Sequence, residues 1–383
     1  MAKRSPLEPS AKIDQFLRHT TATTPFVVVD TEIVADRYRA LANAISGGEI
    51  YYAVKANPAR PILEQLAALG ASFDVASPAE IDAVLAIGAH PSTVSYGNTI
   101  KKRRDISYSA SCGVNRYTVD SPEELDKVAS QVPTASICVR LFHDCGGSDW
   151  PLSNKFGCDP GAAVDLLVAA FGAGHRCGLS FHVGSQQRHP DAWNEPIERA
   201  AQIFAAARER GAQPSFINLG GGFPGHYVEP IAAISVYGTA VTGALSHHFD
   251  DSLAEVMIEP GRYLVADAGV LRSEVVLVSR RSTHDRQRWV YLDCGKFHGL
   301  AETMDEAIRY RLRTAHDGSA TGPVAIAGPT CDSADVLYDK AGYELPLALT
   351  EGDYVDVLSA GAYTTTYSSV GFNGFPPLAE YFV

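Results

Sequence analysis

Between residues 50 and 258 the chain repeats one alternation eight times: a short, continuously apolar run followed by a stretch with helical spacing. The runs are Ile50–Val54, Ser72–Val75, Val94–Tyr96, Tyr117–Val119, Ser136–Leu141, Leu179–Val183, Phe216–Leu219 and Val256–Ile258. Apolar runs of this length, without polar alternation, suit parallel strands covered on both faces. The starts of two helices are written out chemically. Ser77-Pro78-Ala79-Glu80 and Ser121-Pro122-Glu123-Glu124 each place Ser at the cap, Pro at the first helical position and Glu three residues on. Eight such units predict a parallel α/β barrel, a TIM-like (β/α)8 fold, over residues 26–263.

The pattern changes near residue 264. Val270–Val278, Trp289–Leu292, Val324–Ala327 and Tyr354–Leu358 are β-branched runs separated by Gly, Pro and Asp turns. They predict a C-terminal, mostly antiparallel β domain over 264–383, joined by the polar, Thr-rich residues 1–25, which are read as able to add a strand. Phe26–Val29 reads as a strand, and the stretch around Glu302–Tyr310 as a helix. At 383 residues, two domains are expected.

The chain carries 32 Lys and Arg against 44 Asp and Glu, a net charge of −12, which argues against nucleic acid and anionic membrane as partners. No apolar stretch is long enough for a membrane span, and no secretory signal is visible at the start. The cysteines at 112, 138, 145, 158, 177, 294 and 331 are scattered, without Cys-x-x-Cys pairs or zinc spacing. A reduced, cytoplasmic chain without bound metal is the expectation, with most of these thiols in the core.

The chemistry-bearing residues fall just after the barrel runs, at the face where such barrels build active sites. Lys55 follows the first run and Asp74 ends the second; Arg140 lies in the fifth, and His182 and Ser185 close the sixth. Gly220-Gly221-Gly222 follows the seventh, and Glu259-Pro260-Gly261-Arg262 the eighth. Each has an ordinary reading: a solvated lysine, a core histidine, a glycine turn, a turn with an ion pair. Their alignment on one face favours a site. Bare glycine amides and an Arg after the last two strands suit a phosphate. A lysine amine, activated by desolvation from its apolar neighbours, suits covalent catalysis, and a carboxylate suits a pyridinium nitrogen. Together they suggest pyridoxal phosphate (PLP).

These motifs carry a resemblance. Tyr52–Asn57, Phe181–Ser185, Gly220–Gly225 and Glu259–Tyr263 resemble the fold-type III, alanine-racemase-like PLP decarboxylases. Gly328–Asp335, Gly361–Thr364 and Phe372–Phe375 are similar to the ornithine decarboxylase branch, and Asp293–Phe297 with Gly299–Thr303 to its bacterial ornithine or lysine/ornithine members. The resemblance covers about residues 25–375. It implies that Lys55 is the Schiff-base lysine, His182 the imidazole stacked on the ring, and Glu259 the pyridinium partner. It assigns Ser185, Gly220, Gly221, Gly222, Gly261, Arg262 and Tyr363 to the phosphate, and makes Asp74 and Arg140 charged support around the Schiff base. It makes Cys331 the acid that returns a proton to Cα. On the substrate side it implies Asp332 for the distal ammonium, with Phe372, and with Glu306 or Asp305 as a second carboxylate. Cys331 and Asp332 would reach a partner's barrel, so a homodimer with shared sites is implied.

The expected reaction is decarboxylation of a basic diamino acid, L-ornithine to putrescine first. L-lysine or another diamino acid is the alternative. A diaminopimelate-type enzyme usually shows Cys-Glu where this chain has Cys331-Asp332. Glu259 opposes a racemase, which pairs the ring nitrogen with Arg. A catalytically inactive regulator is disfavoured by the retention of Lys55, Glu259, Arg262 and Cys331. The chain departs from the eukaryotic pattern at Asp293–Thr303 and by an apparent extra residue before Phe372, where the substrate tail would lie. His298, in that departure, reads as a solvated loop residue or one that reshapes the pocket.

Overall fold

Eight short strands close a parallel barrel: Gly48–Ala53, Ser72–Val75, Val94–Tyr96, Arg116–Val119, Ser136–Arg140, Arg176–Ser180, Phe216–Asn218 and Glu255–Ile258. The last pairs in parallel with the first, Val256 opposite Gly48. The structure, a computed structural model, describes residues 8–144, 146–150, 155–249 and 253–383. Cys145 and the first seven residues of the N-terminal segment lie outside the described residues. All eight expected runs are barrel strands. The sixth sits three residues earlier than its apolar run, so His182 falls in the loop beyond the strand.

The caps differ in detail from a paired box. Ser77 accepts the Glu80 amide at 3.3 Å, and Glu80 reaches one residue past the cap, to the Ala76 amide at 2.7 Å. Ser121 accepts the Glu124 amide at 3.2 Å, but the Glu124 side chain turns to the buried Lys101 ammonium at 3.1 Å and to Lys127. A buried ammonium needs a counter-charge more than a cap amide needs a second acceptor. Even so paired, burial pushes Lys101 down to about 8. At the N-terminal end of the barrel, Arg116 pairs with Glu255 at 2.9 Å and lies over the Tyr51 and Phe216 rings. That end is a stability plug, which leaves the C-terminal mouth for chemistry.

A second unit gathers the chain up to Val34, Gly225–Pro230 and Leu264–Val383. Its sheet runs Leu312–Thr314, Tyr354–Leu358, Gly269–Ser279, Arg288–Leu292, Thr321–Ala327, Val336–Tyr338, with Glu344–Pro346 on Thr321–Ala327. Arg288–Leu292 with Thr321–Ala327 and Phe26–Val29 with Ala379–Phe382 pair in parallel, and the other pairings are antiparallel.

Three expectations are corrected here. Phe26–Val29, placed by the sequence reading at the start of the barrel domain, belongs to this sheet, flanked by Gly269–Ser279 and Ala379–Phe382. All four of its residues are buried, so a strand with neighbours on both sides is where they fit. Among the described residues, the N-terminal segment supplies a helix rather than a strand, Ala11–His19, capped by Ser10. Its Ile13 and Leu17 pack on Phe26, Val28, Val270 and Leu358. The stretch Glu302–Tyr310 is not a helix. A 3-10 segment, Ala301–Glu306, breaks at Asp305, whose φ of 51° is left-handed. Among the described residues, no helix is long and apolar enough to cross a membrane.

Candidate active site

The barrel mouth is assembled from the loops that leave its strands. Lys55 sits in a single 3-10 turn, Val54–Ala56, with Val54 and Ala56 buried and Lys55 itself exposed. The Tyr52 hydroxyl donates to the Asn57 carbonyl at 2.9 Å, which pins the turn. The Ala53 amide donates to the Pro260 carbonyl at 3.1 Å and ties it to the loop holding Glu259 and Arg262. Because Lys55 is exposed, the expected desolvation of its amine is absent. Its surroundings are set by charge.

Asp74 and Glu80 lie in the field of Lys55. Burial first, then the negative charge of Glu259, holds Asp74 well above the usual carboxylate range, and Lys55 and Arg140 offset this only in part. The Asp74 Oδ1 atom is shielded from water and has no hydrogen-bond partner. Burial also raises Glu80, against the pull of the Ala76 amide and Lys55. Arg140, His182 and Glu259 line one cleft with Gly97 and Thr118. The Arg140 guanidinium stands over the Phe156 ring at 5.5 Å.

The His182 Nδ1 accepts the Gly184 amide at 3.0 Å, which fixes the unprotonated nitrogen. Burial, with the Arg140 and Lys55 charges adding, pushes this histidine well below its usual range. The ring is therefore a neutral plate at the mouth. Its Nε2 would lie 3.3 Å from a side chain placed at Gly221.

Gly220–Gly222 has no room for side chains. A Cβ at Gly220 would lie 2.3 Å from the Phe181 carbonyl, at Gly221 2.5 Å from the Glu259 carbonyl, and at Gly222 2.6 Å from the Gly184 carbonyl. Gly220 and Gly222 also have positive φ, 65° and 102°. The buried Arg262 donates to Ser185 Oγ from Nε at 3.2 Å and from Nη2 at 3.0 Å. Asn218, which the sequence reading passed over, joins the two loops. Its Oδ1 accepts the Gly220 amide at 2.9 Å, and its Nδ2 donates to a Glu259 carboxylate oxygen. A polar residue directly before Leu219-Gly220 in a strand that is otherwise apolar was the available signal.

The remaining predicted residues lie in the β unit. Cys331 and Asp332 are exposed at the tip of Gly328–Asp335. Cys331 is the exposed one among the described cysteines, while burial pushes Cys138 and Cys158 up to about 12 and Cys177 to about 11. One Asp332 oxygen accepts the Ala334 amide at 2.9 Å. Asp335, fully inside, holds the loop by accepting the Lys296 and Thr330 amides and the Thr330 hydroxyl. Tyr363 has a φ of 55°, a conformation a tyrosine adopts only under constraint. Phe372 packs on Phe297, with ring centroids 4.8 Å apart.

Two expectations on this side change. Glu306 does not stand free as a second carboxylate, because its Oε1 accepts the Asp339 and Lys340 amides at 2.7 Å each. Asp305 is exposed beside it. His298 is not solvated. It is buried, edge-on to Phe375 at 4.8 Å, and burial lowers it.

The residues at the barrel mouth fit PLP. An amine is available for an aldehyde, a side-chain-free glycine loop with a buried guanidinium suits a phosphate dianion, a carboxylate suits a ring nitrogen, and an uncharged imidazole suits stacking. The shielded, unpartnered Asp74 oxygen is a cost that a bound polar group would relieve. Comparison with known proteins agrees. The family described as pyridoxal-dependent decarboxylase, pyridoxal binding domain, matches residues 31–266. The lysine/ornithine decarboxylase of Selenomonas ruminantium is 35% identical over 356 residues, covering 92% of this chain and 88% of that one. The ornithine decarboxylase of Schizosaccharomyces pombe is 34% identical over 342 residues, covering 85% and 75%. A lysine/ornithine decarboxylase structure from Vibrio vulnificus, complexed with cadaverine, superposes with a TM-score of 0.87 at 31% identity, covering 98% of this chain and 100% of that one.

Proposed function

The chain belongs to the pyridoxal-dependent decarboxylases, and from that membership we propose that its substrate is L-ornithine and its product putrescine. It is a PLP-dependent carbon–carbon lyase of basic amino acids. Bound PLP supplies the electron sink that accepts the pair left at Cα when carbon dioxide departs. Everything else falls to side chains. Lys55 holds the cofactor through its amine. The amides of Gly221 and Gly222, with Ser185, Gly261 and Arg262, hold its phosphate, Gly220 shapes the turn through its own bond to Asn218, and the resemblance adds Tyr363. Glu259 would keep the ring nitrogen protonated, and the neutral His182 imidazole would stack on the ring. Asp74 and Arg140 stand as polar support around Lys55. Cys331 donates the proton that Cα needs, and Asp332 receives the distal ammonium.

The observation that carries this reading is the joining of the phosphate cradle to the ring carboxylate. Arg262 and Gly220–Gly222 stand at one mouth with Glu259, and Asn218 bonds to both loops. The exposed carboxylate of Asp332 next to Cys331 supports a cationic substrate tail. A pocket ending in an anion rejects a neutral amino acid, because the carboxylate would lie unpaired. The proposed working unit is a homodimer in which Cys331 and Asp332 of one copy serve the barrel of the other. Their exposure in the single chain, beside exposed Val370 and Phe372, supports that.

The substrate is tested by kcat/KM on L-ornithine, L-lysine, L-arginine and meso-diaminopimelate, with Asp332→Asn beside the parent. Ornithine is expected first. Asp332→Asn is expected to lower its kcat/KM by about a hundredfold, the worth of one good charged hydrogen bond. Lysine first would move the substrate and keep the chemistry. An unchanged Asp332→Asn would remove that residue from the pocket.

A further inference from the structure

Cys331 does not point freely from its loop. Its backbone amide donates to Asn373 Oδ1 at 3.2 Å, and its Sγ lies 3.6 Å from the same oxygen, within reach of an S–H donor. One carboxamide oxygen therefore takes both hydrogens that Cys331 can offer. The Asn373 backbone is built for this contact. Its φ is 51°, in the left-handed region that asparagine tolerates better than most residues, between Gly371 at 77° and Gly374 at 80°. The turn is closed by Gly374 N–H to the Gly371 carbonyl at 2.9 Å, and by Phe375 N–H to the Phe372 carbonyl at 3.1 Å. Phe372 packs on Phe297, and Asp335 fixes the far side of the Cys331 loop.

We propose that Asn373 is a positioning residue that holds the Cys331 thiol aimed for proton return to Cα. This rests on the reading of Cys331 as the proton donor. An acceptor facing the sulfur removes the rotational freedom of the side chain and shields the sulfur on that side. In the normal event the S–H bond breaks and a C–H bond forms at Cα, and solvent restores the thiol. When the thiol is misaimed, the proton arrives instead, from solvent, at the cofactor's former aldehyde carbon. Hydrolysis then releases the substrate carbon skeleton as an aldehyde, oxidised by two electrons, with its oxygen from water. The cofactor keeps the nitrogen and those two electrons as its amine form, so turnover stops.

The experiment counts the aldehyde and the amine form of the cofactor against the diamine product in the holoenzyme. Asn373→Gly keeps the positive φ and loses the acceptor; Asn373→Asp keeps both. In Asn373→Gly the aldehyde fraction is expected to rise at least tenfold, with kcat down tenfold or more and KM within threefold. Asn373→Asp is expected to stay within threefold of the parent fraction. A second readout needs no turnover: iodoacetamide labelling of Cys331, followed by peptide mass, is expected to quicken at least threefold in Asn373→Gly. A parent-like fraction in Asn373→Gly, while Cys331→Ala raises it, overturns the role of Asn373 alone. An equal rise in Asn373→Asp overturns the acceptor argument. No rise in Cys331→Ala overturns the reading of Cys331 on which the inference rests.

Discussion

Asp74 and Glu259 are two carboxylates in one field, and their surroundings are unequal. Glu259 receives a hydrogen bond from Asn218, whereas the Asp74 Oδ1 is shielded and receives none. Burial without a donor favours the acid at Asp74. The cost shows as a pH dependence. Asp74 is raised in the folded chain, so as pH climbs past about 4 the unfolded chain releases that proton first. Stability present below the unfolded value is lost as pH rises toward the folded one. Asp74→Asn is therefore expected to stabilise the cofactor-free protein by about 1 kcal/mol or more near neutral pH, read as a higher Tm, and to bind PLP more weakly. Melting curves from pH 4 to 7 check this, and the gain must grow with pH. A gain that shrinks with pH would contradict the account.

The strands, helices and loops divide sharply in how far the sequence exposed them. Continuous apolar runs mark buried parallel strands because both faces are covered, and all eight were legible. The barrel-mouth residues were legible too, since Lys55, Gly220–Gly222 and Arg262 are unusual after apolar runs. Phe26–Val29 was read as a strand but placed within the barrel domain's range, because four apolar residues say that a strand is buried and not which neighbours bury it. Glu306 carries the same lesson: a carboxylate near a pocket can be spent on backbone amides, and only coordinates show which. Asn218 was missed because its link to Glu259 joins two loops far apart in the chain. Among these elements the glycine cradle is the least forgiving. Gly221→Ala would set a methyl 2.5 Å from the Glu259 carbonyl. Backbone must move, at about 1–3 kcal/mol. PLP affinity measured by absorbance titration is expected to fall at least tenfold. A parent-like affinity would show that the amides do not hold the phosphate.

At the scale of the whole molecule, the account requires two copies, one lending Cys331 and Asp332 to the barrel of the other. Lys55→Ala and Cys331→Ala are each expected to make little putrescine alone. Refolded together in equal amounts, they make half their dimers mixed, and each mixed dimer has one intact site of two. Activity should then return to about a quarter of the parent's. If each chain used its own Cys331, no mixture would recover. The net charge of −12 suits a cationic substrate approaching this assembly, an effect that added salt would weaken. The central claim is tested most directly by supplying carboxyl-labelled L-ornithine to the PLP-loaded protein and counting labelled carbon dioxide against putrescine. The account predicts one of each per turnover, and a loss of about a thousandfold or more in Lys55→Ala. PLP bound at Lys55 with no labelled carbon dioxide from ornithine, lysine or arginine would contradict it.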